Sequence, residues 1–92
     1  MPIEVRVPTI MRKHTGGAQK ITGRGATVRE LVDDIEARHG GLRDALVDED
    51  GRLHRFVNVY VNDEDVRFLG GLEAPLDDGD TVSILPAVAG GG

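Results

Sequence analysis

Glycine is the residue that stands out as a chemical group in this chain: the sequence closes on Gly90-Gly91-Gly92. A carboxylate on a bare glycine tail is a handle that a narrow cleft can admit and activate, because no side chain blocks the approach. The plainer reading is a frayed terminus or the remnant of a linker. The other chemistry-bearing residues offer less. His14, His39 and His54 match no metal spacing, and there is no Cys to complete a site or act as a thiolate. Three acidic clusters, Asp48-Glu49-Asp50, Asp63-Glu64-Asp65 and Asp77-Asp78-Gly79-Asp80, lack the alternating ligands of a calcium loop and fall where turns are expected. Gly23-Arg24-Gly25 lacks the third glycine of a dinucleotide fingerprint, and Lys20 belongs to no phosphate loop. Thr81 and Ser83 sit mid-strand, without the sharp turn that exposes a nucleophile. No internal catalytic constellation emerges, so a non-enzymatic role is expected, with no bound cofactor or metal.

Bulk properties narrow the partners. Ninety-two residues make one domain with a modest core. A hydrophobic fraction of 39% and a charged fraction of 29% suit a globular chain. The net charge of -5 argues against nucleic acid and anionic membranes, which need clustered Lys and Arg. No signal peptide is expected, since Pro2 to Val7 is short and carries Glu4 and Arg6, and no apolar stretch approaches a membrane span. The expected compartment is the cytoplasm.

Several elements can be read from spacing. Ile3, Val5 and Val7 alternate with Glu4 and Arg6 as in a half-buried strand, and Lys20-Ile21-Thr22 reads as its hairpin partner after a turn at His14 to Gly17. Thr27-Val28-Arg29-Glu30 has the form of a capping box. Val28, Leu31, Val32 and Ile35 then make one helical stripe, which Gly40-Gly41 is expected to stop. Leu42 to Leu46 adds a helical turn. Phe56 to Val61 is a strand with Val57, Val59 and Val61 on one face and Phe56, Asn58 and Tyr60 on the other. Val66-Arg67-Phe68 reads as a short strand, and Thr81 to Leu85 as the last one, with Val82 and Ile84 inward and Pro86 ending its pairing. The order predicts an α+β layer: a mixed sheet of four to five strands with one main helix on one face. Residues 1–86 form the domain and 87–92 a flexible tail, which spans about 20 Å when extended. Phe56 and Tyr60, on the face away from the helix, are candidates for a docking patch.

The order of elements, together with the terminal glycines, resembles the β-grasp, ubiquitin-like fold of the small sulfur carrier proteins of the MoaD and ThiS families. The resemblance is sharper for the CysO-type carriers of actinobacteria. Thr9-Ile10 and His14-Thr15-Gly16-Gly17 resemble their first strand and turn. His54 to Asn58, Tyr60 to Phe68 and Gly70-Gly71-Leu72 resemble their middle, and Asp78-Gly79-Asp80 with Ile84 to Gly91 their last strand and tail. The resemblance implies that a MoeB/ThiF-type E1-like enzyme, an adenylyltransferase and sulfurtransferase, uses ATP to adenylate the terminal carboxylate, which becomes a thiocarboxylate. It also implies a PLP-dependent cysteine synthase as sulfur acceptor and a JAMM-type metalloprotease that releases cysteine. Carriers of this type end on two glycines, whereas Gly92 follows Gly90-Gly91 here. The activated residue is therefore Gly92, or Gly91 if the chain is trimmed, with Val88, Ala89, Gly90 and Gly91 as the threading tail. A thio-sugar or other natural product, molybdopterin and thiamin are alternative destinations for the sulfur. A ubiquitin-like protein modifier and a plain interaction domain with an inert tail are alternative roles.

Overall fold

The computed structural model describes residues 2–55 and 57–86. Phe56 and the tail residues Val88, Ala89, Gly90, Gly91 and Gly92 lie outside the described residues. In β1 (Ile3–Arg6), Ile3 and Val5 are buried while Arg6 is exposed, so the alternation in sequence becomes an inside and an outside. β2 (Lys20–Gly23) returns antiparallel, with Val5 opposite Ile21 and Arg6 opposite Lys20. The hairpin forms as expected, but more than a turn connects its strands. Pro8, extended at φ -70°, leads into a 3-10 helix over Thr9–His14 that carries Met11 into the core. The hydroxyl of buried Thr15 then donates toward the carbonyls of Arg12 (3.2 Å) and Ala18 (2.9 Å).

α1 (Val28–Glu36) begins at Thr27, whose side chain accepts from the Glu30 amide at 3.2 Å. The return bond of the expected capping box is displaced by one residue: Glu30 Oε1 accepts from the Ala26 amide at 3.0 Å. Val28, Leu31, Val32 and Ile35 are all buried, as their spacing predicts. The expected stop at Gly40-Gly41 is not where the helix ends. It ends at Glu36, where the amides of Arg38 and His39 both fold back on the Ile35 carbonyl. Gly41 instead takes φ 102° as the residue preceding α2 (Leu42–Leu46), where a Cβ would lie 2.6 Å from the His14 ring. The Glu36 carboxylate accepts from the amides of Gly41 (3.1 Å) and Arg43 (2.8 Å), fastening α1 to α2.

β3 (Val57–Val61) buries its three valines and leaves Asn58 and Tyr60 half-buried on the opposite face. Asn62 and Asp63, both at positive φ, turn the chain into β4 (Glu64–Asp65). The strand expected over Val66-Arg67-Phe68 is a 3-10 helix instead. Asp65 accepts from the Arg67 amide at 2.9 Å and caps it, which ends the ladder after two residues. β5 (Thr81–Pro86) has Val82 and Ile84 inward. Pro86 does not end its pairing, because the register extends to Val57 opposite Pro86.

The sheet order is β2-β1-β5-β3-β4, with β1 and β5 parallel and the other pairs antiparallel. α1 packs its buried stripe against the strands' inner residues, and approaches closely enough that a Cβ on Gly23 would lie 2.7 Å from both Leu31 Cδ1 and Ile35 Cγ2. This is the α+β layer that the order of elements predicts, in the β-grasp arrangement that the resemblance implies. Among the described residues no helix is long and apolar enough to cross a membrane.

Candidate functional site: the uncovered sheet face

Strand register assembles this face. Tyr60 lies opposite Ser83, Ser83 beside Arg6 and Arg6 opposite Lys20, so these four residues form one row across the sheet. One step nearer the end of β5, Asn58 lies opposite Leu85. Leu85 is 48% exposed, large for an aliphatic side chain in a central strand. Around Tyr60 and Leu85 an open groove of about 430 Å³ is bordered by Arg6, Val7, Pro8 and Asp63. An aromatic and an aliphatic surface ringed by charges is the composition of a protein-docking site. Arg6 Nε and Glu4 Oε2 pair at 3.1 Å, but both are well exposed and water screens the pair.

The turn beside the groove is held to the root of β5. Asn62 Nδ2 donates to Asp80 Oδ1 at 2.9 Å, and the Thr81 amide donates to Asn62 Oδ1 at 3.1 Å. Asp80 Oδ2 accepts from the Asp77 amide at 2.8 Å. Asp48 accepts from the amides of Asp50 (2.9 Å) and Arg52 (3.1 Å). Asp48 and Asp80 thus serve as turn caps, as their positions in the sequence predict, whereas in the third cluster only Asp63 lies in the turn and Glu64–Asp65 forms β4.

The carboxylates with displaced titration lie away from this face. Asp34 is held below the ordinary carboxylate range by the Arg38 side chain and the Arg24 amide. Glu36 is lowered by the amides of Arg43 and Gly41, and Asp48 chiefly by the amide of Arg52. Each is a local cap, and none is paired with a nucleophile or a second acid. The His14 ring packs near Gly41, and His54 Nε2 lies 3.1 Å from the Asp44 carbonyl. Among the described residues no three His, Asp or Glu side chains converge where a metal ion could be held.

Of the residues singled out in sequence, Tyr60 is brought to the groove, while Phe56 and the tail lie outside the described residues. Leu85 was missed, although alternation from inward Val82 and Ile84 put it on the outer face. Phe68 was also missed. It is 86% exposed, because the segment expected to be a strand is a 3-10 helix that buries Val66 and turns Phe68 outward.

Comparison with known proteins gives this geometry a context. The ThiS family profile matches residues 5–91. The sulfur carrier protein CysO of Mycobacterium tuberculosis is 53% identical over 93 residues, covering 99% of this chain and 100% of the relative. A chain in the crystal structure of the Amycolatopsis orientalis BexX/CysO complex superposes with a TM-score of 0.90 at 61% identity, covering 96% of this chain and 98% of that one. Small archaeal modifier protein 3 of Haloferax volcanii is 46% identical over 66 residues, 72% of this chain and 71% of the relative.

Proposed function

This chain belongs to the ThiS family and is a sulfur carrier, a small carrier rather than a catalyst, and we propose that its terminal glycine is the atom-carrying group. In the first step the glycine carboxylate attacks the α-phosphorus of ATP, forming an acyl-adenylate and releasing pyrophosphate. In the second, a sulfide-level sulfur attacks the acyl carbon and AMP leaves, so that one C–O bond is exchanged for C–S and the tail ends in a thiocarboxylate. A carboxylate resists nucleophiles because of its charge, and the mixed anhydride supplies the missing leaving group. A MoeB/ThiF-type E1-like enzyme binds the ATP and activates the carboxylate, and a sulfur donor supplies the sulfide. The carrier supplies the substrate atoms and a surface by which it is recognised. ATP supply is consistent with a cytoplasmic setting.

The observation that carries this reading is the position of β5. It is an inner strand, its final described residue Pro86 leads into residues 87–92, and its Leu85 and the neighbouring Tyr60 border a groove that the other described residues leave open. An enzyme that grips this face is in place to receive the segment that follows. Residues 1–86 are then the recognised body, and Val88, Ala89, Gly90 and Gly91 the segment that threads. Gly92 is the activated residue, or Gly91 after trimming. Identity to CysO favours cysteine as the destination of the sulfur, through a PLP-dependent synthase and a JAMM-type protease.

Intact mass spectrometry tests this. Incubation with the cognate E1-like enzyme, ATP and a sulfide source is expected to add the difference between one sulfur and one oxygen atom, at Gly92 or at a new Gly91 terminus. A mass that stays unchanged while the enzyme is demonstrably active overturns the reading. The likeness to a Haloferax modifier protein favours a second role, attachment to lysines of other proteins. Conjugate ladders in cells, absent from a tail-deleted strain, would establish that role.

A further inference from the structure

On the far side of β3 from β5 lies a second surface of different chemistry. An open groove of about 320 Å³ is bordered by Arg29, Arg52, Arg67, Gly70, Gly71 and Glu73. Its lining has three guanidinium groups against one carboxylate, in a chain whose net charge is -5. The arginines are unequally committed. Arg29 Nε pairs with Glu73 Oε1 at 2.6 Å. Arg67 donates to Asn58 Oδ1 (2.7 Å) and to the Val57 carbonyl (2.9 Å), with Asp65 at 3.7 Å. Arg52 makes no ion pair among the described residues; Asp48, the nearby carboxylate, accepts the Arg52 backbone amide. Phe68, between Arg67 and Gly70 in the chain, is 86% exposed, the largest exposure among the described large hydrophobics.

Arg67 ties this surface to the tail. The Val57 carbonyl that it binds belongs to the residue paired with Pro86, the last described residue of β5. Neighbouring strands are about 4.8 Å apart. The arginine groove therefore begins about two strand spacings from the place where the chain leaves the sheet, beyond β3 from the groove over Tyr60 and Leu85. Exposed Phe and Arg are residue types that anchor protein interfaces, and the planar guanidinium matches a carboxylate in two bonds at once.

We propose that Phe68 and the Arg29–Arg52–Arg67 groove form a second docking surface, which takes an acidic segment of the activating enzyme and an apolar pocket beside it. The inference rests on the reading of the tail as the activated group. With one hold over β5 and a second beyond β3, the enzyme fixes the direction in which the chain continues past Pro86, which a single hydrophobic patch leaves free to pivot.

The test separates docking from activation. Binding of the full chain to its cognate E1-like enzyme is titrated without ATP, and thiocarboxylate formation is followed separately by intact mass. Phe68→Ala and Arg52→Glu are each expected to raise the Kd by about tenfold or more, the scale of an interface anchor. The wild-type Kd is expected to rise steeply with salt and that of Arg52→Glu to be nearly flat. Both side chains are exposed, and an unchanged melting temperature will confirm that the variants fold. Kd values within twofold of wild type for both variants overturn the second surface while leaving the tail chemistry standing. Normal binding by wild type with no mass gain under ATP and sulfide overturns the tail reading, and with it the role assigned here.

Discussion

The two faces of the sheet are built from the same four strands, β1, β2, β3 and β5, and have opposite characters. On the inner face Ile3, Val5, Ile21, Val57, Val59, Val61, Val82 and Ile84 are buried under α1. On the outer face Glu4, Arg6, Lys20, Thr22, Asn58, Tyr60, Ser83 and Leu85 meet water. Alternation alone generates both sets, since successive side chains in a strand point to opposite sides. The inner face is constrained by volume, where each methylene counts. The outer face is constrained only by solubility and by whatever binds it. Core and solvent-facing surface are thus written on alternate residues of the same strands, and substitutions should separate stability from any recognition on the outer face.

The sharpest separation comes from Ile35, 1% exposed in the stripe of α1. Ile35→Ala should cost about 2–5 kcal/mol, which denaturant unfolding will read. A loss under about 1 kcal/mol would mean that the helix is not seated on the sheet as described. Gly23→Val comes next. It forces atoms into the 2.7 Å contacts with Leu31 and Ile35, and overpacking of this kind costs about 1–3 kcal/mol. A neutral result would show that β2 can shift away from α1.

Tyr60→Ser with Leu85→Ser reverses the pattern. Loss of stability should stay near 1 kcal/mol or below, as for substitutions outside the core, while affinity for the E1-like enzyme falls by about tenfold or more. Unchanged affinity would remove the outer groove from the recognition surface. The smallest effect concerns Glu36, whose carboxylate is lowered by the amides of Arg43 and Gly41. The folded chain therefore binds this proton less readily than the unfolded chain. The resulting stability is present above the unfolded carboxylate value of about 4.3, and is lost as pH falls through the lowered folded value. Glu36→Gln should flatten the acid limb of a stability–pH curve. An identical acid limb in the variant would show that the cap does not contribute.

Much of this was legible in the order of residues, for reasons that differ between elements. β1, α1 and β5 carry their period over at least four residues, and in each the expected inward residues are the buried ones. The segment Val66-Arg67-Phe68 has strand composition, yet one hydrogen bond from the Arg67 amide to Asp65 converts it to a 3-10 turn. The end of α1 was misplaced because glycines mark places where a helix is able to stop. Here the Glu36 carboxylate has its use beyond the helix, on the amides of Gly41 and Arg43. The outer groove was half-legible: Tyr60 stands out because it is aromatic, and Leu85 does not because an aliphatic residue in a strand reads as core. The arginine groove could not be read at all, since Arg29, Arg52 and Arg67 come from three separate segments that only the fold brings together.

β5 has a mechanical consequence. It lies between a parallel neighbour, paired through Glu4–Arg6, and an antiparallel one, paired through Val57–Val61. A pull directed along the chain past Pro86 runs parallel to both ladders and loads their hydrogen bonds together, in shear. Peeling, in which bonds fail one at a time from a free edge, is not available to a strand held on both sides. Resistance to such a pull is set by the rate of unfolding rather than by equilibrium stability. Force spectroscopy with the handles beyond Ile3 and Pro86 should give a single high rupture event. Stepwise opening at low force would mean that one of the two ladders bears no load. A strand anchored this way passes a pull at its end to the whole sheet and lets the fold survive it.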